Sequence, residues 1–207
     1  MRLIGGFAAL AVGASLAGCN MVVTETPLFS SADVGDAHPP RPGVWNADKA
    51  DCAFDETLPQ NKWPDCAKAT PPLSASDPWL AVGGDPALLQ LSMPKESPVI
   101  AGLSFYLAYR PLKLDDHGRT TEMAFWAVQC GPPPKGSNPG LTQSLLPGLE
   151  PRADKSNCTT TSKEALRDAA KASEAWGQEN GKTPRSHWVR DPIAGDLPAR
   201  DAAPPTG

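Results

Sequence analysis

Three histidines, a serine–lysine pair and five cysteines are the side chains of this 207-residue chain best equipped for chemistry. Ser92-Met93-Pro94-Lys95 has the Ser-x-x-Lys spacing that sets a lysine one helical turn from a serine, where it can take the hydroxyl proton. That geometry needs a helix, yet Pro94 falls inside the turn and the flanking residues read as a strand end. No Ser-Asp-Asn or Lys-Thr-Gly partner accompanies it, so the spacing reads as chance. Gly181-Lys182-Thr183 ends like a phosphate-binding loop, but Trp176 stands where the first glycine should be and Pro184 where a helix should start. His117 lies beside Asp115 and Asp116 and could help to hold a weakly bound cation, although Asp115–Gly118 reads first as a solvated turn. His38 and His187 have no partner nearby in the sequence. With neither Gly-x-Ser-x-Gly nor His-Glu-x-x-His present, no catalytic residue, metal ligand or cofactor is assigned.

Cys52, Cys66, Cys130 and Cys158 are an even set with three possible pairings. Short loops close most often, so Cys52–Cys66 and Cys130–Cys158 are the expected disulfides, and closing a loop of about 15 residues stabilises by about 3 kcal/mol in the chain-entropy model. A zinc site is the alternative. It lacks a Cys-x-x-Cys pair and any nearby histidine.

The fifth cysteine, Cys19, ends an apolar run from Leu3 to Gly18 that follows Met1-Arg2. The run is too short to cross ~30 Å of hydrocarbon comfortably and has the proportions of a secretory signal peptide. Leu16-Ala17-Gly18-Cys19 resembles the lipobox of bacterial lipoprotein precursors. The resemblance implies cleavage between Gly18 and Cys19, lipidation of the Cys19 thiol, and a membrane anchor made of acyl chains. It also implies that Asn20, in place of an aspartate retention signal, directs the protein to the outer membrane, facing the periplasm. The alternatives are an ordinary signal peptide with Cys19 incidental, or a short membrane helix. With Gly43-Val44-Trp45 and Trp63-Pro64-Asp65-Cys66, the chain also resembles a kind of proteobacterial envelope lipoprotein, a resemblance that brings no activity with it.

A formal net charge of −4 and no Lys/Arg cluster exclude an electrostatic footprint for nucleic acid or anionic lipid. With 24 Pro and 18 Gly, the composition suggests a compact middle with loose ends. The expected division is a signal peptide over 1–18, a lipidated flexible tether over 19–41, one disulfide-stapled domain over 42–191 and a disordered tail over 192–207.

Within the domain, Pro42–Trp45 opens a short strand, and Leu88–Met93, Leu103–Leu114 and Arg119–Cys130 read as further strands. The last two form a hairpin around Asp115-Asp116-His117-Gly118. Leu103, Phe105, Leu107 and Tyr109 share one face, and a phase change beside Pro111 suggests a bulge. Ala124, Trp126, Val128 and Cys130 share a face on the returning strand. A helix over 162–176 follows, with Thr161 and Glu164 spaced as a capping box, Leu166, Ala169, Ser173 and Trp176 on one face, and Gly177 ending it. Ser186–Arg190 adds a terminal strand. The fold class is therefore α+β: an antiparallel sheet of three to five strands, one C-terminal helix and two disulfides. Trp45, Trp63, Trp126, Tyr106 and Tyr109 are either core or a binding surface, with Tyr106 the best surface candidate.

Function follows mainly by exclusion. The expectation is a non-enzymatic binding or structural module of the envelope, held to the membrane by its acyl chains, with an envelope protein as its partner. The rivals are a ligand-binding lipoprotein that uses an aromatic sheet face, and an enzyme whose groups, such as His117 or His187 with carboxylates, meet only in three dimensions.

Overall fold

The computed structural model describes residues 20–47, 52–68, 79–93, 95, 102–134, 141–142, 144–178, 181–194 and 196. Its centre is the expected hairpin, β5 (Ser104–Leu114) and β6 (Thr120–Ala127), turned at Asp115. Asp115 holds the turn through its carboxylate, which accepts the backbone N–H groups of His117 and Arg119 and pairs with the Arg119 guanidinium. The register slips between Pro111 and Lys113, so the bulge beside the proline is present.

The sheet is larger than the sequence suggests. Among the described residues the sheet has seven strands: six run in the order β2 (Val44–Ala47), β9 (Arg185–Arg190), β6, β5, β4 (Ala87–Ser92), β3 (Trp79–Val82), and β1 (Val23–Thr24) pairs with β5 off that path. All the strand pairings are antiparallel. A separate small ladder pairs β7 (Glu150–Pro151) with β8 (Cys158–Thr159). Strands of two to four residues, such as β1, β2 and β3, are too short to carry a period of two; their partners across the sheet specify them.

Both faces of the sheet are covered. On one face Tyr106, Ala108, Trp126, Val128, Leu88 and Val82 form a cluster with Leu166, Ala169 and Ala170 of α1 (Lys163–Ser173). Alanines on the helix allow the close approach, and Trp126 Nε1 donates to the Ala170 carbonyl at 2.8 Å. On the other face Phe105, Leu107, Tyr109 and Leu89 join Trp45 from β2 and Ala81 from β3 in a second buried cluster. This double burial explains why "SFYLAYR" is almost continuously apolar instead of alternating.

The helix is shorter than expected, and its cap sits one residue later. Ser162 accepts the Ala165 N–H, while Thr160, one residue before Thr161, receives the Ser162 N–H and donates to the Gly148 carbonyl. Such a cap contributes about 1 kcal/mol. The helix ends at Ser173, whose carbonyl accepts from Trp176 and Gly177.

Residues 20–41 are not a tether. Val22 and Val23 are buried to 1% and 0% exposure, and the segment that follows wraps from the helix face to the opposite face. Side chains of the sheet satisfy its irregular backbone. Gln90 exchanges two hydrogen bonds with Phe29, Tyr106 OH receives the Leu28 N–H, and the His38 carbonyl accepts from Tyr109 OH and Thr120 Oγ1. Gly83 lets this strap pass, since a Cβ there would collide with Asp36 and the Ala37 backbone. The segment has no period because fixed side chains supply its hydrogen bonds, and that is why it reads as loose in the sequence.

The expected tail is docked at its start. Asp196 is buried and takes a bidentate pair from Arg190, with the N–H groups of Ile193 and Gln60 also donating to it. Residues 197–207 lie outside the described residues. Both disulfides have the expected partners, Cys52–Cys66 and Cys130–Cys158.

Candidate functional site

Gly18 and Cys19, the expected cleavage and lipidation residues, lie outside the described residues. The next residue, Asn20, has φ 69°, a left-handed conformation that asparagine tolerates better than most residues. It is 4% exposed and bonded on every side. Its N–H donates to the Ser156 carbonyl and its own carbonyl accepts the Cys130 N–H. The side-chain Oδ1 accepts the Thr142 N–H at 3.1 Å, and Nδ2 donates to the Gly131 carbonyl at 2.9 Å and to Gln129 Oε1 at 3.4 Å. Two backbone partners of opposite kind therefore set the orientation of the amide.

The strand that follows is wedged between two segments. Val22 N–H donates to the Val128 carbonyl, Met21 bridges Gln129, and the Met21 carbonyl accepts the Cys158 N–H. The Cys130–Cys158 disulfide ties those two flanking segments together, and both of its cysteines are fully buried. Asn157 Oδ1 adds a bond from the Met21 N–H. Residues 20–22 are thus clamped between a disulfide-linked pair of walls. Nothing local in "CNMVV" signals this, because the partners lie more than a hundred residues away.

The other candidates are dispersed. Ser92 is in β4 and shares a hydrogen bond with Ser104 Oγ at 3.1 Å; its strand setting excludes the helical turn that a Ser-x-x-Lys pair needs. Gly181 adopts φ 73° and no helix follows it, since β9 begins at Arg185. His117 is exposed in the hairpin turn, where Asp115 is committed to Arg119 and the turn backbone. Burial alone would raise the Asp115 carboxyl, but the hydrogen bonds from Arg119 and the turn more than offset it and hold the group at about 2. His38 uses Nδ1 to donate to the Gly118 carbonyl at 2.9 Å. Among the described residues, no group of three or more His, Cys, Asp or Glu is placed to hold a metal ion.

One juxtaposition escaped the sequence. Pairing of β2, β9 and β6 places Asn46, His187 and Glu122 in a row across the same face. Asn46 Oδ1 is buried without a hydrogen-bond partner, and Glu122 reaches Arg185 at 4.0 Å. No hydrogen bond joins His187 to either neighbour among the described residues. Cross-strand register brought these residues together, and no spacing within one segment could have revealed it.

The five aromatic side chains weighed as a binding surface are all interior. Trp45, Trp63, Trp126, Tyr106 and Tyr109 are each 3% exposed or less. Tyr106, the expected surface residue, lies under the helix face with its hydroxyl bonded to Thr24 Oγ1 at 2.7 Å, and burial pushes its phenol up. The phase that turned it away from Phe105 and Leu107 directed it into the second core instead of into solvent.

Compared with family models, curated proteins and solved structures, the chain matches none. Among the described residues no helix is long and apolar enough to cross a membrane.

Proposed function

We propose that the chain is an exported lipoprotein of the bacterial envelope, held to the outer membrane by acyl chains on Cys19, and that its domain serves as a binding or structural module. The observation that carries this reading is the hold on Asn20, the residue directly after the lipobox cysteine. Asn20 is buried, donates to the Gly131 carbonyl and accepts the Thr142 N–H, so a chain that begins at Cys19 is joined directly to the folded domain. Two disulfides, one of them fully buried, support folding in an oxidising compartment. The strongly held charges support a structural use of the polar side chains: Arg110 ties Glu174 at the helix end to the sheet, and Arg190 ties Asp196 to the loop stapled by Cys52–Cys66.

The test is metabolic labelling with a clickable fatty acid, followed by membrane fractionation of the native protein and Cys19→Ala. The expected result is label on the native chain alone, with the variant released from membranes. Label that persists on Cys19→Ala overturns the anchor. Cross-linking in intact cells then addresses the module, and a single reproducible envelope partner is the expected outcome.

A further inference from the structure

We infer that the domain sits directly on the bilayer, with the surface formed by residues 131–134 and 152–156 pressed against the lipid headgroups. The inference rests on lipidation of Cys19 and extends it to an orientation. A flexible tether over residues 19–41 would let the domain roam about 25 Å from its anchor. The structure removes that freedom. Asn20 is pinned by its backbone and its side chain to Ser156, Cys130, Gly131 and Thr142, so the Cα of Cys19 is only ~3.8 Å from a fixed point of the fold. The acyl chains start one modified side chain further on, and they must lie in the hydrocarbon beneath a headgroup layer only about 5–7 Å thick. No slack remains to lift the domain clear.

The surface around Asn20 suits this position. On one side Pro132 and Pro133 are exposed, and proline offers no backbone N–H. On the other side Ala153, Asp154 and Lys155 are exposed. Arg152 is matched by Asp154 at 3.3 Å and Glu25 at 3.6 Å, so the charges nearly cancel and do not repel a bilayer of either character. Lys155 makes no ion pair among the described residues, which leaves its ammonium for a headgroup phosphate. Behind this surface the buried Cys130–Cys158 disulfide joins the two loops, so the seat is a rigid unit.

The orientation can be read from native lysines. Acylated full-length protein is reconstituted in phosphatidylcholine vesicles and labelled with a membrane-impermeant amine reagent, with sites quantified by mass spectrometry. The same is done for a form carrying a twenty-residue Gly/Ser insertion between Cys19 and Asn20. Lys113, on the exposed hairpin arm, and Lys171, on the exposed side of α1, serve as references. The expected result is that Lys155 labelling is suppressed several-fold relative to Lys113 and Lys171 in the native form and recovers with the insertion. Equal labelling of Lys155 in both forms overturns the seat while leaving the anchor in place. Protection that survives the insertion points to a protein cover and also overturns it. Absence of acyl label on the native chain overturns the anchor and, with it, the seat.

Discussion

Replacing Asn20 with aspartate reverses one atom of a buried side chain, and the structure sets its cost. In the native fold Nδ2 donates to the Gly131 carbonyl at 2.9 Å and approaches Gln129 Oε1 at 3.4 Å, in a residue that is 4% exposed. A carboxylate keeps the acceptor for the Thr142 N–H but turns a second oxygen towards two oxygens. The Gly131 carbonyl loses its donor and a charge is buried against it, together costing about 3 kcal/mol at neutral pH. For a chain of this size that lowers Tm by roughly 6–12 °C. The charge provides an internal check. If most of the cost is electrostatic, the new carboxyl has a folded pKa about two units above its free value of about 3.9, near 6. Once protonated, it can donate to the Gly131 carbonyl again. The deficit of Asn20→Asp relative to the native protein should therefore be full above pH 6 and shrink towards pH 4. Thermal unfolding of both full-length proteins in detergent across that range measures it. A Tm within about 1 °C of native at pH 7 would refute the clamp at Asn20 and return residues 20–24 to a loose tether. The same substitution is the natural probe of lipoprotein sorting, so a change in its membrane address has to be corrected for lost fold stability.

Two further outcomes follow from burial and charge. Cys130 and Cys158 are fully buried whereas Cys66 is exposed, so mild dithiothreitol should open Cys52–Cys66 first and leave Cys130–Cys158 intact until the domain unfolds; thiol trapping with peptide mapping checks the order, and simultaneous opening refutes it. Acid should destabilise the fold in a defined window. Asp33 is held at about 2 by the hydrogen bond from Lys163 and those from Ser30, and Asp115 at about 2 against its burial by Arg119 and the turn backbone. Both lie below their ordinary value of 3.8, so their contribution is complete above about pH 5 and is lost as pH falls through 2. Melting temperatures should decline between about pH 4 and 2, and less steeply in a combined Asp33→Asn, Asp115→Asn variant; an unchanged slope in that variant refutes the assignment.

The legible parts of this fold are those written within a few residues. Asp115 to Gly118 marks the hairpin turn because a carboxylate can bind the backbone two and four residues on. Leu166, Ala169 and Ser173 mark the helix by their spacing, and Pro111 marks the bulge by the N–H it lacks. The cysteine pairs were legible too, since loops of 14 and 28 residues close more readily than the alternatives. The misread parts have the opposite character. Residues 20–41 carry neither period nor cap, and their order comes from Gln90, Tyr106, Tyr109 and Thr120, all supplied from distant strands. Tyr106 was misplaced because alternation assigns a side chain to a face but does not say whether that face is dry.

Turns, caps and loop closure act over short stretches of chain, so the hairpin and the helix could be read from the residues, and the sequential pairing of the four cysteines could be favoured over its two alternatives. Tertiary structure decided that both faces of β5 are core, that His187 stands between Asn46 and Glu122, and that Asn20 is locked 111 residues from its partner Gly131. Those outcomes depend on register and on what covers each face of the sheet. Both are properties of the whole fold, and no single segment contains them.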